Sequence, residues 1–150
     1  MTNLKEALFQ QCVVHVNTRL QTIQTIISSH QKALSSETKS SAGDKHETGR
    51  AMLQLEMEKA GQQLASVQQM QQTLAMVAIT KSSTSVRLGT IIETSSTHYF
   101  LSVSAGKLTV NEITYFAISA SSPIGQLLVG KQAGDIFHWN GKELKINNVL

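Results

Sequence analysis

Between Phe9 and Ala78 the apolar positions recur at alternating steps of four and three residues. One series runs Phe9, Val13, Val16, Leu20, Ile23, Ile27, His30, Leu34, and a second runs Leu53, Met57, Ala60, Leu64, Val67, Gln71, Leu74, Ala78. Such steps keep the apolar side chains on one stripe of a helix and define a heptad seam. If the two arms fold back antiparallel, Leu34 faces Leu53, Ile27 faces Ala60, Ile23 faces Leu64, Leu20 faces Val67 and Val13 faces Leu74. All these pairs are equidistant from a point between residues 43 and 44, which is the expected centre of the reversal. Each arm then spans roughly 26 residues and about 40 Å. Two seam positions are polar, His30 opposite Met57 and Gln71 opposite Val16. Both are read as register-setting or partly solvated seam residues rather than ligands.

The stretch between Leu34 and Leu53 breaks the heptads with Ser, Thr and Gly and is expected to be an exposed tip. Thr2 or Asn3 would cap the first arm. Asp44 would cap the second, and Glu47 three residues later completes an acidic version of the capping box. That structural reading of the two carboxylates stands beside a functional one.

From residue 81 to 85 the pattern turns to Ser and Thr, marking a linker, and beyond it the periodicity becomes strand-like. Runs from Val86 to Glu93, His98 to Val103, Ile113 to Ser119, Asp135 to Trp139 and Glu143 to Ile146 are short, β-branched and aromatic. Ser95-Ser96 and Ala105-Gly106 punctuate them, and Asn140-Gly141 predicts a two-residue hairpin turn. One short helix is expected where Ser122 offers a cap, Pro123 fits the first helical position and Gly130 can end the helix. The expected fold class is α+β. A coiled-coil hairpin over residues 1–80 precedes an antiparallel sheet domain with one short helix over 82–150.

Charge and cysteine content narrow the function. Lys plus Arg number 13 against 10 Asp plus Glu, spread over both halves, so no basic stripe suggests direct nucleic-acid reading. The single cysteine, Cys12, excludes an internal disulfide or a cysteine zinc site and is expected to be a small buried hydrophobe. Without a leader-like N-terminus or a long apolar run, the expectation is a soluble, cytoplasmic monomer with no membrane partner.

The segment from Ser122 to Asp135, SPIGQLLVGKQAGD, resembles the serine-proline helix and G-K-x-x-G-D turn of the bacterial Gre family of transcript-cleavage factors (GreA and GreB). The hairpin and the overall length are similar too, so the resemblance covers nearly the whole chain. Gly43, Asp44 and Glu47 stand where that family carries a Gly-Asp and a following Glu at its tip. Lys45, His46 and the run Thr48-Gly49-Arg50 depart from the pattern. The resemblance implies a C-terminal domain similar to FK506-binding proteins that docks on RNA polymerase. Ser122, Pro123, Gly130, Lys131, Gly134 and Asp135 would be its partner-binding residues. It further implies a coiled coil entering the polymerase secondary channel, with Asp44 and Glu47 as catalytic and metal-binding residues only in that complex.

On that reading the protein is no enzyme and has no cofactor of its own. It would share Mg2+ at the polymerase active centre and meet the nascent RNA 3′ end indirectly. A regulator that occupies the channel without cleaving is the alternative, because Lys45 and His46 place positive charge beside the carboxylates. A prolyl isomerase is a weaker one. Tyr99, Phe100, Tyr115, Phe116, Phe137 and Trp139 could line an apolar pocket, but their places in strands favour the core.

Overall fold

The computed structural model describes the backbone over residues 2–39 and 43–150 and side chains over 4–36 and 48–150. Two long helices, α1 (Thr2–Lys39) and α2 (Gly43–Met76), form the hairpin. A six-stranded mixed sheet and one short helix follow, so the chain is α+β. Contacts divide it into two compact units, Val16–Met70 and a second made of Met1–His15 with Gln71–Leu150.

In the unit Val16–Met70 the heptad steps dictate which side chains are covered. Val16, Ile23, Ala60 and Val67 are buried, and Leu20, Ile27, His30, Leu34, Leu53, Met57 and Leu64 are half-buried. Each fully covered Ile or Val contributes about 1.5–3 kcal/mol relative to exposure. Beside the seam, Arg19 Nη1 donates to Met70 Sδ at 3.5 Å and ties the arms together in antiparallel sense. The sequence places the reversal between residues 43 and 44, but both already belong to α2, which begins at Gly43, so the reversal does not fall between them.

The second unit contains the sheet and the residues of both helices nearest to it. Its strands are β1 (Ile91–Thr94), β2 (His98–Ser102), β3 (Gly106–Val110), β4 (Ile113–Ser119), β5 (Ile136–Trp139) and β6 (Lys142–Val149), with helix α3 (Pro123–Leu128) between β4 and β5. Their order across the sheet is β3-β4-β2-β1-β6-β5. Every pairing is antiparallel except β2 with β4, which is parallel. The wholly antiparallel sheet expected from the sequence is corrected by the unforeseen strand β3. It runs back one strand-width away from β2, and β4 returns through the gap between them, which forces β4 to run with β2.

β3 escapes a sequence reading because its hairpin turn is Asn111-Glu112, with φ of 51° and 66°, rather than an Asn-Gly pair. The Asn140-Gly141 turn forms as expected, closing β5 on β6 at Trp139 and Lys142. β1 starts later than expected, at Ile91. Val86 is occupied elsewhere, donating to the Lys131 carbonyl and accepting from Gly130 N, both at 2.8 Å.

Alternation along the strands gives the sheet two covered faces. On one, Ile92, Tyr99, Leu101 and Ile118 pack with Ile124 and Leu128 of α3 and with Phe137, Leu144 and Ile146. On the other, Ile91, Phe100, Ser102, Leu108, Tyr115 and Ala117 are buried. There Cys12 Sγ lies 3.5 Å from Ser102 Oγ, and Gln11 Nε2 donates to the Thr109 carbonyl at 2.9 Å. Leu8 and Cys12 are both 0% exposed, so the first turns of α1 complete this core. Burial pushes the Cys12 thiol up from its ordinary value, opposed by the Ser102 hydroxyl. Gln71, assigned to the seam from the sequence, is instead exposed. An amide that stays in water avoids the desolvation cost of a seam position.

Candidate functional site

Two regions were singled out by sequence, the tip and the segment Ser122–Asp135. At the tip, α2 is helical from Gly43, so positions 44 and 47 lie three apart near the start of a helix. The side chains of Asp44 and Glu47 lie outside the described residues, as do the caps assigned to Thr2 or Asn3. Among the described residues no cluster of three or more His, Cys, Asp or Glu side chains could hold a metal ion.

The second region is built in detail. Ser122 is extended and caps α3, its Oγ accepting from Gly125 N at 3.1 Å while donating to the Ser119 carbonyl at 2.7 Å. One hydroxyl thereby satisfies a free amide of the first helical turn and anchors the helix to the end of β4. Pro123 follows at the start of the helix, where its missing N–H costs nothing. Gly125 is buried, and a Cβ there would overlap the Ser119 carbonyl. Only glycine lets α3 lie this close to β4.

Beyond the helix, Gly130 and Gly134 have φ of 86° and 95°, a region that favours glycine. Gly134 N donates to the Ile146 carbonyl at 2.7 Å, and the Asp135 carbonyl accepts from Ile146 N at 2.9 Å. The Asp135 carboxylate, at the surface, accepts from Gln132 N at 2.8 Å. The motif is therefore first a folding device. Ser122, Gly130, Gly134 and Asp135 hold α3 and its turn; Gly130, Gly134 and Asp135 are nonetheless exposed, like Pro123, and Ser122 and Lys131 are half-exposed.

What this scaffold leaves at the surface was not apparent from the sequence. Leu127, Val129 and Ile136 are 38%, 47% and 52% exposed, and within α3 it is Ile124 and Leu128 that enter the core. Leu127 and Val129 adjoin one another at the end of α3, whereas Ile136 alternates with the core residue Phe137 and projects from the opposite face of β5. Exposed aliphatic groups on a rigidly capped element suit a protein-binding surface. Helical periodicity alone could have divided Leu127 from Leu128, but Ile136 needed knowledge of which face of β5 meets the core. Of the aromatics, Tyr99, Phe100, Tyr115 and Phe137 are core, Trp139 is half-buried and Phe116 is exposed.

No protein-family model matches the chain. No curated protein matches it either. Among solved structures the chain is similar to the transcription factor Gfh1, at 16% identity over 95% of this chain and 93% of that one, with a TM-score of 0.35. Likeness at that level assigns no role to any residue. No helix among the described residues is long and apolar enough to cross a membrane.

Proposed function

We propose that the protein is a transcription elongation factor of the Gre type, which docks on RNA polymerase through its sheet unit and offers the hairpin tip to the secondary channel. The observation that carries this reading is the Ser122–Asp135 segment. It resembles the family's most specific motif, and its polar and glycine residues hold a capped helix that exposes Leu127 and Val129. Lys131 and Pro123 lie in the same segment and would join the contact.

At the tip, Asp44 and Glu47 would supply hard carboxylate oxygens to a magnesium ion held in part by the polymerase. Their donor chemistry fits, since Mg2+ takes carboxylates and water in an octahedral shell. Once bound there, the ion would help activate the attack on a phosphodiester of backtracked RNA, the polymerase supplying the rest of the centre. The protein's own part is to position two carboxylates. It would catalyse nothing alone and would meet the RNA 3′ end only inside the complex.

The test is RNA 3′-end cleavage in stalled elongation complexes, with and without the protein. Asp44→Asn or Glu47→Gln should abolish stimulation while leaving polymerase binding within a few-fold. Leu127→Asp or Val129→Asp should weaken binding itself. Unchanged cleavage by the Asp44→Asn, Glu47→Gln double variant would refute the role of the tip. Intact protein that binds but never stimulates, at any magnesium concentration, would establish the alternative, a channel occupant whose Lys45 and His46 disfavour the ion.

A further inference from the structure

Lys5 is 6% exposed, which is unusual for an ammonium, and its recorded acceptor is a main-chain oxygen, the Lys81 carbonyl at 3.0 Å. Among the described residues no carboxylate forms an ion pair with it. Burial, and to a smaller extent the like-signed Arg87, pulls its pKa below the ordinary lysine value of 10.5. The partner of this ammonium is thus a neutral carbonyl rather than an acidic side chain.

Beside it lies a cavity of about 400 Å³ whose walls are mainly Leu4, Ile79, Ile91 and Leu150, with Lys5 and Lys81 on its polar side. No acidic side chain lines it. Its volume is at the small end of those that hold organic ligands, too small for a folded element of a partner. An apolar chamber with a buried ammonium in its wall matches one ligand chemistry, a single anionic head on a short aliphatic body. A neutral alkane would leave the ammonium unpaired, and a polyanion would carry charge against the aliphatic walls.

We propose that this cavity binds a small aliphatic carboxylate, its head on Lys5 and its chain against Ile79, Ile91 and Leu150. Such a ligand would sit between the first turn of α1 and the β1 edge that pairs with the last residue of the chain, where Ile91 and Leu150 exchange both main-chain hydrogen bonds at 3.0 and 2.9 Å. Arg87 adds long-range attraction for the anion. The site is independent of the α3 surface and the tip, so its fate does not depend on the role proposed for them.

Octanoate is the probe, titrated into the full-length protein with methyl-labelled Ile and Leu observed by NMR. The expected result is saturable shifts at Ile79, Ile91 and Leu150, with octanol binding about tenfold or more weakly because it cannot pair with the ammonium. Lys5→Met should weaken octanoate by a similar factor while keeping the fold, and Lys5→Arg should retain most of the binding. Should Lys5→Met not fold, Ile79→Glu serves instead, since a carboxylate at the wall must exclude octanoate. Equal affinity for octanol and octanoate, shifts that map elsewhere, or octanoate binding unaffected by whichever variant folds would overturn the proposal. So would a short peptide with a C-terminal leucine displacing octanoate at lower concentration, which would make the occupant a partner's chain end.

Discussion

Adding one methyl group at Gly125 should destabilise the sheet unit, whereas the same change at Gly61 should stabilise the hairpin. Both glycines are helical, so alanine gains about 1 kcal/mol of helix propensity at either site. At Gly61 nothing lies within 4 Å of the new Cβ, and the gain is kept. At Gly125 the methyl overlaps the Ser119 carbonyl oxygen and meets Ser122 Oγ and the Ser119 carbonyl carbon at 3.0 Å. Two of those neighbours are backbone, and the third is the capping hydroxyl, so none can rotate away without loss. Relief requires α3 to lift from β4, which strains the Ser122 cap and uncovers Ile124 and Leu128. Overpacking of this kind costs about 1–3 kcal/mol, and a lost cap adds about 1 kcal/mol. The net expectation for Gly125→Ala is a loss of about 1–3 kcal/mol, a melting shift on the order of 10 °C for a unit of this size. Trp139 is the chain's only tryptophan and packs on the same core, so urea unfolding followed by its fluorescence reads the unit directly. Far-ultraviolet circular dichroism reads Gly61→Ala. A Gly125→Ala protein as stable as the parent would show that α3 does not lie against β4 as described.

Further expectations concern the cores and their ionisable groups. Ile23→Ala, at a buried seam position, should cost about 2–4 kcal/mol in thermal or urea unfolding, and Leu64→Ala, half-buried, should cost less. Equal losses would mean the seam is more uniformly packed than it looks. The Cys12 thiol, buried and with its pKa raised, should resist alkylation at pH 8 in native protein and react fully in denaturant. Burial also raises the Tyr99 phenol above 10.0, so the folded chain holds that proton longer than the unfolded one and stability falls as pH climbs past about 10. Tyr99→Phe should flatten that fall. Lys5 acts in the opposite sense, its lowered pKa making stability rise towards pH 10.5, so Lys5→Met should steepen the fall. A fragment covering 82–150 alone should unfold less cooperatively than the whole chain, because it lacks Leu8 and Cys12 over the face that carries Ser102.

The legible parts of the fold were those written in local periodicity. Heptad spacing located the covered stripe of both helices in Val16–Met70, and the Ser122-Pro123 start and the Asn140-Gly141 turn were visible because each residue type has a specific local use. The parallel β2–β4 pair was hidden because it depends on where β3 lies, a non-local fact with no Asn-Gly turn to announce it. Nothing in the local pattern marks Lys5, and its burial follows from tertiary packing that no pattern encodes. In the Ser122–Asp135 segment the motif was plain, but the division of labour was not. Asp135 and the glycines shape the turn while staying exposed, and aliphatic residues with no motif of their own share that surface.

The way one unit gathers Met1–His15 with Gln71–Leu150 has a consequence for synthesis. The side chains of Leu8 and Cys12 leave the ribosome early, but the sheet they cover is not closed until β6 has paired with β1 through Val149. At about 5–20 residues per second, the nascent chain carries this uncovered apolar turn for on the order of ten seconds. The stretch Val16–Met70 contains both halves of its own seam and can zip up during that interval. Its early closure would bring Cys12 and Leu74 towards one another before any strand exists, shortening the loop that the late sheet must still close.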